Sequence, residues 1–144
     1  MQSLQERFSL ALHTTAREWR QAIDRRLKNS GVGQAGWLAI AIVAKNREPL
    51  SQCGLAHKLG VEGPTVVAMV DRLVKSGLVE RVPSALDRRV KLIVLTAAGH
   101  ELYAKVKAQG EVFRHELLAD IDQEQLRIAT ELLERLLVTV ESQT

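Results

Sequence analysis

The apolar positions along the chain fall into helical and strand rhythms in a definite order. Leu4, Phe8, Leu12, Trp19, Ile23 and Leu27 recur at spacings of four and seven, with Arg7, Arg17, Glu18 and Asp24 between them. That predicts a helix over residues 4–28, closed by Gly31 and Gly33. Gln34 to Lys45 is apolar nearly all round, as a central, buried helix requires, and Asn46 to Pro49 reads as a turn. Ser51 is a good N-cap for a helix from Gln52 to Leu59, and Gly60 supplies the left-handed residue that stops it. Pro64 is tolerated in the first turn of the next helix, which runs through Thr65, Met69, Leu73 and Lys75 to Gly77. Two short helices around Gly60-Val61-Glu62-Gly63 have helix-turn-helix spacing.

The texture then changes. Leu78 to Val82 and Val90 to Leu95 are β-rich, with a break at Pro83 to Asp87, which predicts a hairpin. A hairpin directly after a helix-turn-helix is the layout of a winged helix. Thr96 caps a long helix over 97–118, with Leu102, Val106, Val112 and Phe113 toward its inner side. Asp122 and Gln125, three apart, resemble a capping box. They open a last helix carrying Leu126, Ala129, Leu133, Leu136 and Val140. The expected fold is mainly α with a small β-hairpin. A winged helix-turn-helix over residues 31–96 is flanked by N- and C-terminal dimerisation helices in residues 1–30 and 97–144. The end helices carry Leu/Val stripes that need burial, most economically against a second copy of the chain.

Composition narrows the function. With 144 residues there is room for one domain, or one domain plus an oligomerisation extension, and not for a two-domain cofactor enzyme. The longest uncharged apolar run, Gly36 to Ala44, is far short of the roughly 20 residues of a membrane span. Glu6 and Arg7 stand where a signal peptide would need its apolar stretch. The expectation is a cytoplasmic protein with no membrane partner. The lone Cys53 excludes an internal disulfide and a multi-cysteine zinc site. With no cation beside it in sequence, it reads as a core residue. His13, His57, His100 and His115 lack metal-ligand spacing, and His57 is placed to touch a phosphate. No Ser/His/Asp set, glycine-rich phosphate loop or paired carboxylates stand in the chain. No metal, cofactor, catalytic residue or enzymatic activity is expected. The net charge of +3 is unevenly spread: +4 over residues 1–50, +3 over 51–91 and −4 over 92–144. A polyanion met by the first two thirds of the chain suits that gradient.

The run Asp71-Arg72-Leu73-Val74-Lys75-Ser76-Gly77-Leu78-Val79-Glu80-Arg81, followed by Asp87-Arg88-Arg89 and then Leu95-Thr96, resembles the MarR family of winged-helix transcriptional regulators, with a SlyA-like flavour. Leu55-Ala56 and Leu59-Gly60 extend the likeness into the first helix of the helix-turn-helix, and it reaches both chain ends more loosely. One departure stands out. SlyA-like members often place an arginine where this chain has Ala68, so a bidentate guanine reader is missing.

The chemistry of the residues agrees with double-stranded DNA as partner. A recognition helix presents its first turn to base edges, and here that turn offers Glu62, Gly63, Pro64, Thr65 and Val66. Thr65 donates or accepts a hydrogen bond, and Pro64 and the Val66 methyls suit thymine methyls. Met69, Val70 and Leu73 read as that helix's core face. Arg72 and Lys75 reach phosphates, which position without specifying. The wing holds Arg81, Arg88, Arg89 and Lys91, and Arg suits a narrow minor groove. Asp87, two residues before Arg89, is placed to orient it. The resemblance implies the same: Arg89 as the wing-tip minor-groove arginine and Asp87 as its buttress. Ser51, Gln52, Ala68 and Ser84 complete the DNA-binding set.

His13, Arg17 and Arg20 lie on nearly one helix face and, with Trp37, form a candidate ligand-binding set. The resemblance implies phenolic acids as ligands, with an arginine on the carboxylate and an indole on the ring. The alternative is that Trp19 and Trp37 pack and the arginines make ion pairs. Together these features predict a homodimeric, sequence-specific regulator on a pseudo-palindromic operator, a repressor released by a small aromatic (phenolic or carboxylate) effector. The alternatives are a winged helix that binds a protein partner and a constitutive architectural DNA binder without an effector.

Overall fold

The computed structural model describes residues 1–143, and for Ser30 and Gln34 the backbone alone. α1 (Leu4–Arg26) opens on a capping box: Ser3 Oγ accepts the Glu6 N–H at 3.1 Å and the Glu6 carboxylate accepts the Ser3 N–H at 2.9 Å. A 3₁₀ turn (Lys28–Ser30) leads to α2 (Gln34–Lys45), β1 (Leu50–Ser51), α3 (Gln52–Leu59) and α4 (Gly63–Lys75). Then follow β2 (Val79–Pro83), β3 (Lys91–Leu95), α5 (Ala97–Leu118) and α6 (Gln123–Glu141). α2, α3 and α5 match the sequence boundaries residue for residue. α1 ends two residues early, and α4 begins one residue early.

β1 is the element the sequence pattern did not predict. It makes the sheet three-stranded and antiparallel, in the order β1-β3-β2, with Leu50 opposite Ile93 and Ser51 opposite Leu92. Two residues carry no alternation of their own, and their partners lie some forty positions away. Pro83 also differs from expectation. It is the last residue of β2, opposite Lys91, on an edge strand where a missing N–H is tolerated.

The core is shared by helices and sheet. Ile40 of α2, Leu55 of α3, Val66 and Val70 of α4, Val79 of β2 and Ile93 of β3 are its most deeply buried side chains. Cys53 is not among them. α3 turns Leu55 and Ala56 inward, and Cys53 at the helix start is exposed, contrary to the core role expected of it.

Thr96 ties three elements together. Its Oγ1 donates to the Gly77 carbonyl at 2.6 Å and accepts the Gly99 N–H at 3.1 Å, and its backbone N–H donates to the Leu78 carbonyl at 3.1 Å. Gly99 is there because nothing larger fits: a Cβ would lie 2.1 Å from the Leu78 carbonyl oxygen.

Compactness divides the chain inside α5, into residues 1–111 and residues from 112 on. In the first unit, Leu102 and Val106 of α5 are buried as expected. In the second, Phe113 is buried but Val112 is 47% exposed, correcting its inward assignment. It stands one helical step off the stripe that Leu102, Val106 and Phe113 keep. α6, capped by the Asp122 carboxylate on the Gln125 N–H at 3.0 Å, has no buried residue. Leu132, Leu133, Leu137 and Val140 are each about half exposed. Among the described residues, no helix is long and apolar enough to cross a membrane.

Candidate nucleic-acid interface

Ser51 Oγ accepts the Gly54 N–H at 3.0 Å and starts α3, and Gly60, left-handed at φ 72, ends it. Glu62 then N-caps α4 without a side-chain bond, and Pro64 sits in the first turn. α4 is strongly two-faced. Val66, Met69, Val70 and Leu73 are buried, while Gly63, Pro64, Thr65, Val67, Ala68, Asp71, Arg72 and Lys75 are exposed. Val66 therefore corrects the sequence reading. At 1% exposure its methyls serve the core and do not reach a groove. Near the start of α4 the outward valine is Val67, 40% exposed, which the sequence reading missed. The stripe 66, 69, 70, 73 is a complete helical face and contained that signal.

A guanidinium holds α4 in place. Arg81 on β2 donates from Nε to Gln52 Oε1 at 2.7 Å and from Nη2 to Asp71 Oδ1 at 2.6 Å. A longer contact runs to the Val67 carbonyl at 3.5 Å. Its side chain is 27% exposed. Arg81 thus belongs to the scaffold and not with the exposed cations Arg88, Arg89 and Lys91 of the wing, where the sequence reading put it. The Gln52 side-chain oxygen is thereby engaged within the fold.

The wing is an ordered loop. The Ser84 N–H donates to the Val90 carbonyl at 2.9 Å, and the Val90 N–H donates to the Asp87 carbonyl at 2.9 Å. Ser84 Oγ accepts the Leu86 N–H at 3.2 Å. Asp87 grips Arg89 at three points: Oδ1 accepts the Arg89 N–H at 3.0 Å and Nε at 3.2 Å, and Oδ2 accepts Nη2 at 3.2 Å. The Arg89 guanidinium, and then its backbone N–H, hold the Asp87 carboxyl below the usual aspartate value. Arg89 is still 91% exposed, and Arg88 and Lys91 are exposed beside it. The result is a cationic tip with one arginine pre-oriented by a local carboxylate.

The four residues of the candidate ligand set do not stand alike. Trp37 is 8% exposed, and its indole Nε1–H donates to Asp24 Oδ1 at 3.1 Å, fastening α2 to α1. His13, Arg17 and Arg20 are exposed on α1, with Arg17 3.7 Å from Glu18. Asp24 continues their face four residues after Arg20, so Trp37 closes the end of that cationic stripe. Two cavities in this unit are lined by other residues. One, of about 250 Å³, is lined by Gly31, Val32, Gly33, Ala35 and Gly36, by Met69, Arg72 and Leu73 of α4, and by Ser76, which caps it. The other, of about 200 Å³, is lined by Arg26, Leu27, Asn29, Lys105, Val106 and Gln109. Among the described residues, no group of three or more His, Cys, Asp or Glu side chains is placed to hold a metal ion.

A helix-turn-helix whose second helix has an exposed start, followed at once by a basic hairpin, defines the winged-helix DNA-binding regulators of transcription. Comparison with known proteins gives the same class. The family model described as MarR family matches residues 42–91. The chain is 38% identical to the solved transcriptional regulator PA3341, over 94% of this chain and 98% of that one, at a TM-score of 0.87. It shares the fold of Staphylococcus aureus MepR in a DNA complex (22% identity, 92% and 97% coverage, TM-score 0.79). It also shares the fold of Staphylococcus aureus MarR in complex with salicylate and kanamycin (22%, 98% and 95%, 0.87). This chain belongs to the MarR family, and it is a transcriptional regulator and not an enzyme.

Proposed function

We propose that the protein is a cytoplasmic, homodimeric repressor that binds a pseudo-palindromic operator in double-stranded DNA and leaves it when a small aromatic acid binds. The observation that carries the DNA reading is the pairing of α4's exposed first turn with a wing arginine braced by its own aspartate. Pro64, Thr65, Val67 and Ala68 meet base edges in the major groove. Ser51, Gln52, Arg72 and Lys75 meet phosphates, as do Arg88 and Lys91 from the wing, whose turn Ser84 shapes. Arg89 enters the minor groove, where the negative potential is enhanced. A solvated wing arginine would lose its side-chain freedom for nothing unless a target repaid it.

Dimerisation rests on the end helices, residues 1–30 and 97–144. A 19-residue helix with no buried residue and half-exposed Leu132, Leu133, Leu137 and Val140 is stable only against a partner. Leu4, at 73% exposure, and Phe8 and Leu12, at 39%, make the same case for α1. The effector reading rests on the exposed stripe of His13, Arg17 and Arg20, suited to a carboxylate; Trp37, buried and bonded to Asp24, does not offer its indole to the ring as the sequence reading expected. The salicylate complex of the Staphylococcus aureus relative is consistent with it.

Three measurements test the proposal. Sedimentation should give about twice 16.0 kDa. Selection from a random duplex library should recover an inverted repeat that the protein shifts in a gel and whose transcription it blocks. Salicylate at millimolar concentration should release it. A folded monomer, or no recovered sequence, overturns the regulator as drawn. Release-free binding overturns the effector alone.

A further inference from the structure

One side chain on the wing has no role in folding the hairpin. Leu86 is 99% exposed. It is not on a frayed loop: its N–H donates to Ser84 Oγ at 3.2 Å, and the loop is closed by the Ser84-to-Val90 and Val90-to-Asp87 backbone bonds. The next residue is Asp87, whose carboxylate orients Arg89. The wing thus exposes an isobutyl group and a guanidinium three residues apart on one braced turn, with Arg88 and Lys91 exposed on the same hairpin.

That combination selects the occupant. An apolar protein surface would have to desolvate the cations around the leucine. Duplex DNA offers dense phosphate charge next to the apolar walls of the minor groove, where leucine is among the side chains that press between base steps. Leucine has no donor or acceptor, so it cannot read a base edge. It reads how readily a step opens, and pyrimidine–purine steps open most readily.

Resting on the DNA-binding reading above, we propose that Leu86 is a DNA-contacting wedge that enters the minor groove beside Arg89 and selects a deformable pyrimidine–purine step in the operator flanks.

The test compares wild type, Leu86→Ala and Leu86→Met by selection from a random duplex library, then by titration of the selected duplex. A 2-aminopurine reports unstacking at the flank step. Wild type should enrich TA or CA/TG steps in the flanks and raise 2-aminopurine fluorescence on binding. Leu86→Ala should lose the enrichment and the fluorescence rise and bind the selected duplex about 10-fold more weakly. Its affinity for random-sequence DNA and its salt dependence should not change. Leu86→Met should restore all three signals. If Leu86→Ala selects the same flanks with the same affinity and fluorescence, the wedge is refuted while DNA binding stands. If wild type selects no sequence, the DNA-binding reading and the wedge fall together.

Discussion

Arg81 Nη2 lies 2.6 Å from Asp71 Oδ1, across ten residues and from the first strand of the wing to the outward face of α4. Because the same guanidinium also holds Gln52 at the start of α3, the two helices of the DNA-binding unit and the strand behind them share one fastening. Arg81→Ala should lower unfolding free energy by about 1–2 kcal/mol, the scale of one part-buried hydrogen bond and a more exposed ion pair. About half of that belongs to the ion pair itself, so an Arg81/Asp71 double-mutant cycle should return about 0.5–1 kcal/mol. Urea denaturation at one fixed protomer concentration checks both. A zero coupling energy refutes the Asp71 arm of the fastening, and an unchanged stability of Arg81→Ala refutes the whole of it.

The wing pair behaves differently. Arg89→Ala should weaken binding of the selected duplex by about 10- to 100-fold, the range of one specific DNA contact, and leave the melting temperature unchanged. Asp87→Ala should cost less, because it frees the arginine without removing it. Equal affinity for operator and scrambled DNA before and after Arg89→Ala would show that the wing does not touch DNA.

Asp87 also gives a pH signature. Its carboxyl is depressed by Arg89, so the bond is complete at neutral pH. It persists below the ordinary aspartate range and is lost only as pH falls through the lowered value. An NMR titration of the Asp87 carboxyl should show that low midpoint, and Arg89→Ala should raise it. An unmoved midpoint excludes the bond in solution.

Gly99→Ala places a methyl where the Leu78 carbonyl oxygen is 2.1 Å away. Backbone must move, and the first turn of α5 cannot keep its place against β2 and β3. A loss of about 1–3 kcal/mol is expected from such overpacking, against the usual gain of alanine over glycine within a helix. Thermal melts decide the sign.

Trp37→Phe keeps an aromatic body in the core and deletes the donor to Asp24. It should cost about 1 kcal/mol or more for the lost bond and reduced fill. If salicylate binds the cationic stripe of α1, its affinity should change little, since the indole is 8% exposed. A complete loss of salicylate binding with an unchanged fold would instead make the ring a direct contact.

The elements were legible where punctuation is local. Ser51, Gly60 and Gly77 bound α3 and α4 in the sequence because their caps act on neighbours. β1 was illegible because Leu50 and Ser51 become a strand only through Ile93 and Leu92. The Arg81 fastening was hidden for the same reason: its partners are 10 and 29 residues away. Val66 was readable, since it completes the buried face of α4, yet the likeness to a recognition helix drew it outward. Cys53 was misjudged because a small apolar side chain on an eight-residue helix has no periodicity to place it. Asp87 and Arg89, two residues apart, were read correctly as a pair because the contact is local.

The single residue between β3 and α5 has a consequence for how this chain can diversify. Thr96, at the end of β3, holds the Gly77–Leu78 turn between α4 and β2 and the start of α5 with one side chain and one amide, so an insertion or deletion there unfastens both. The stretch from Ser84 to Val90 is bounded by one backbone bond and points into water. Length changes belong at the wing tip, which can vary by loop exchange while the joint at Thr96 stays fixed in length.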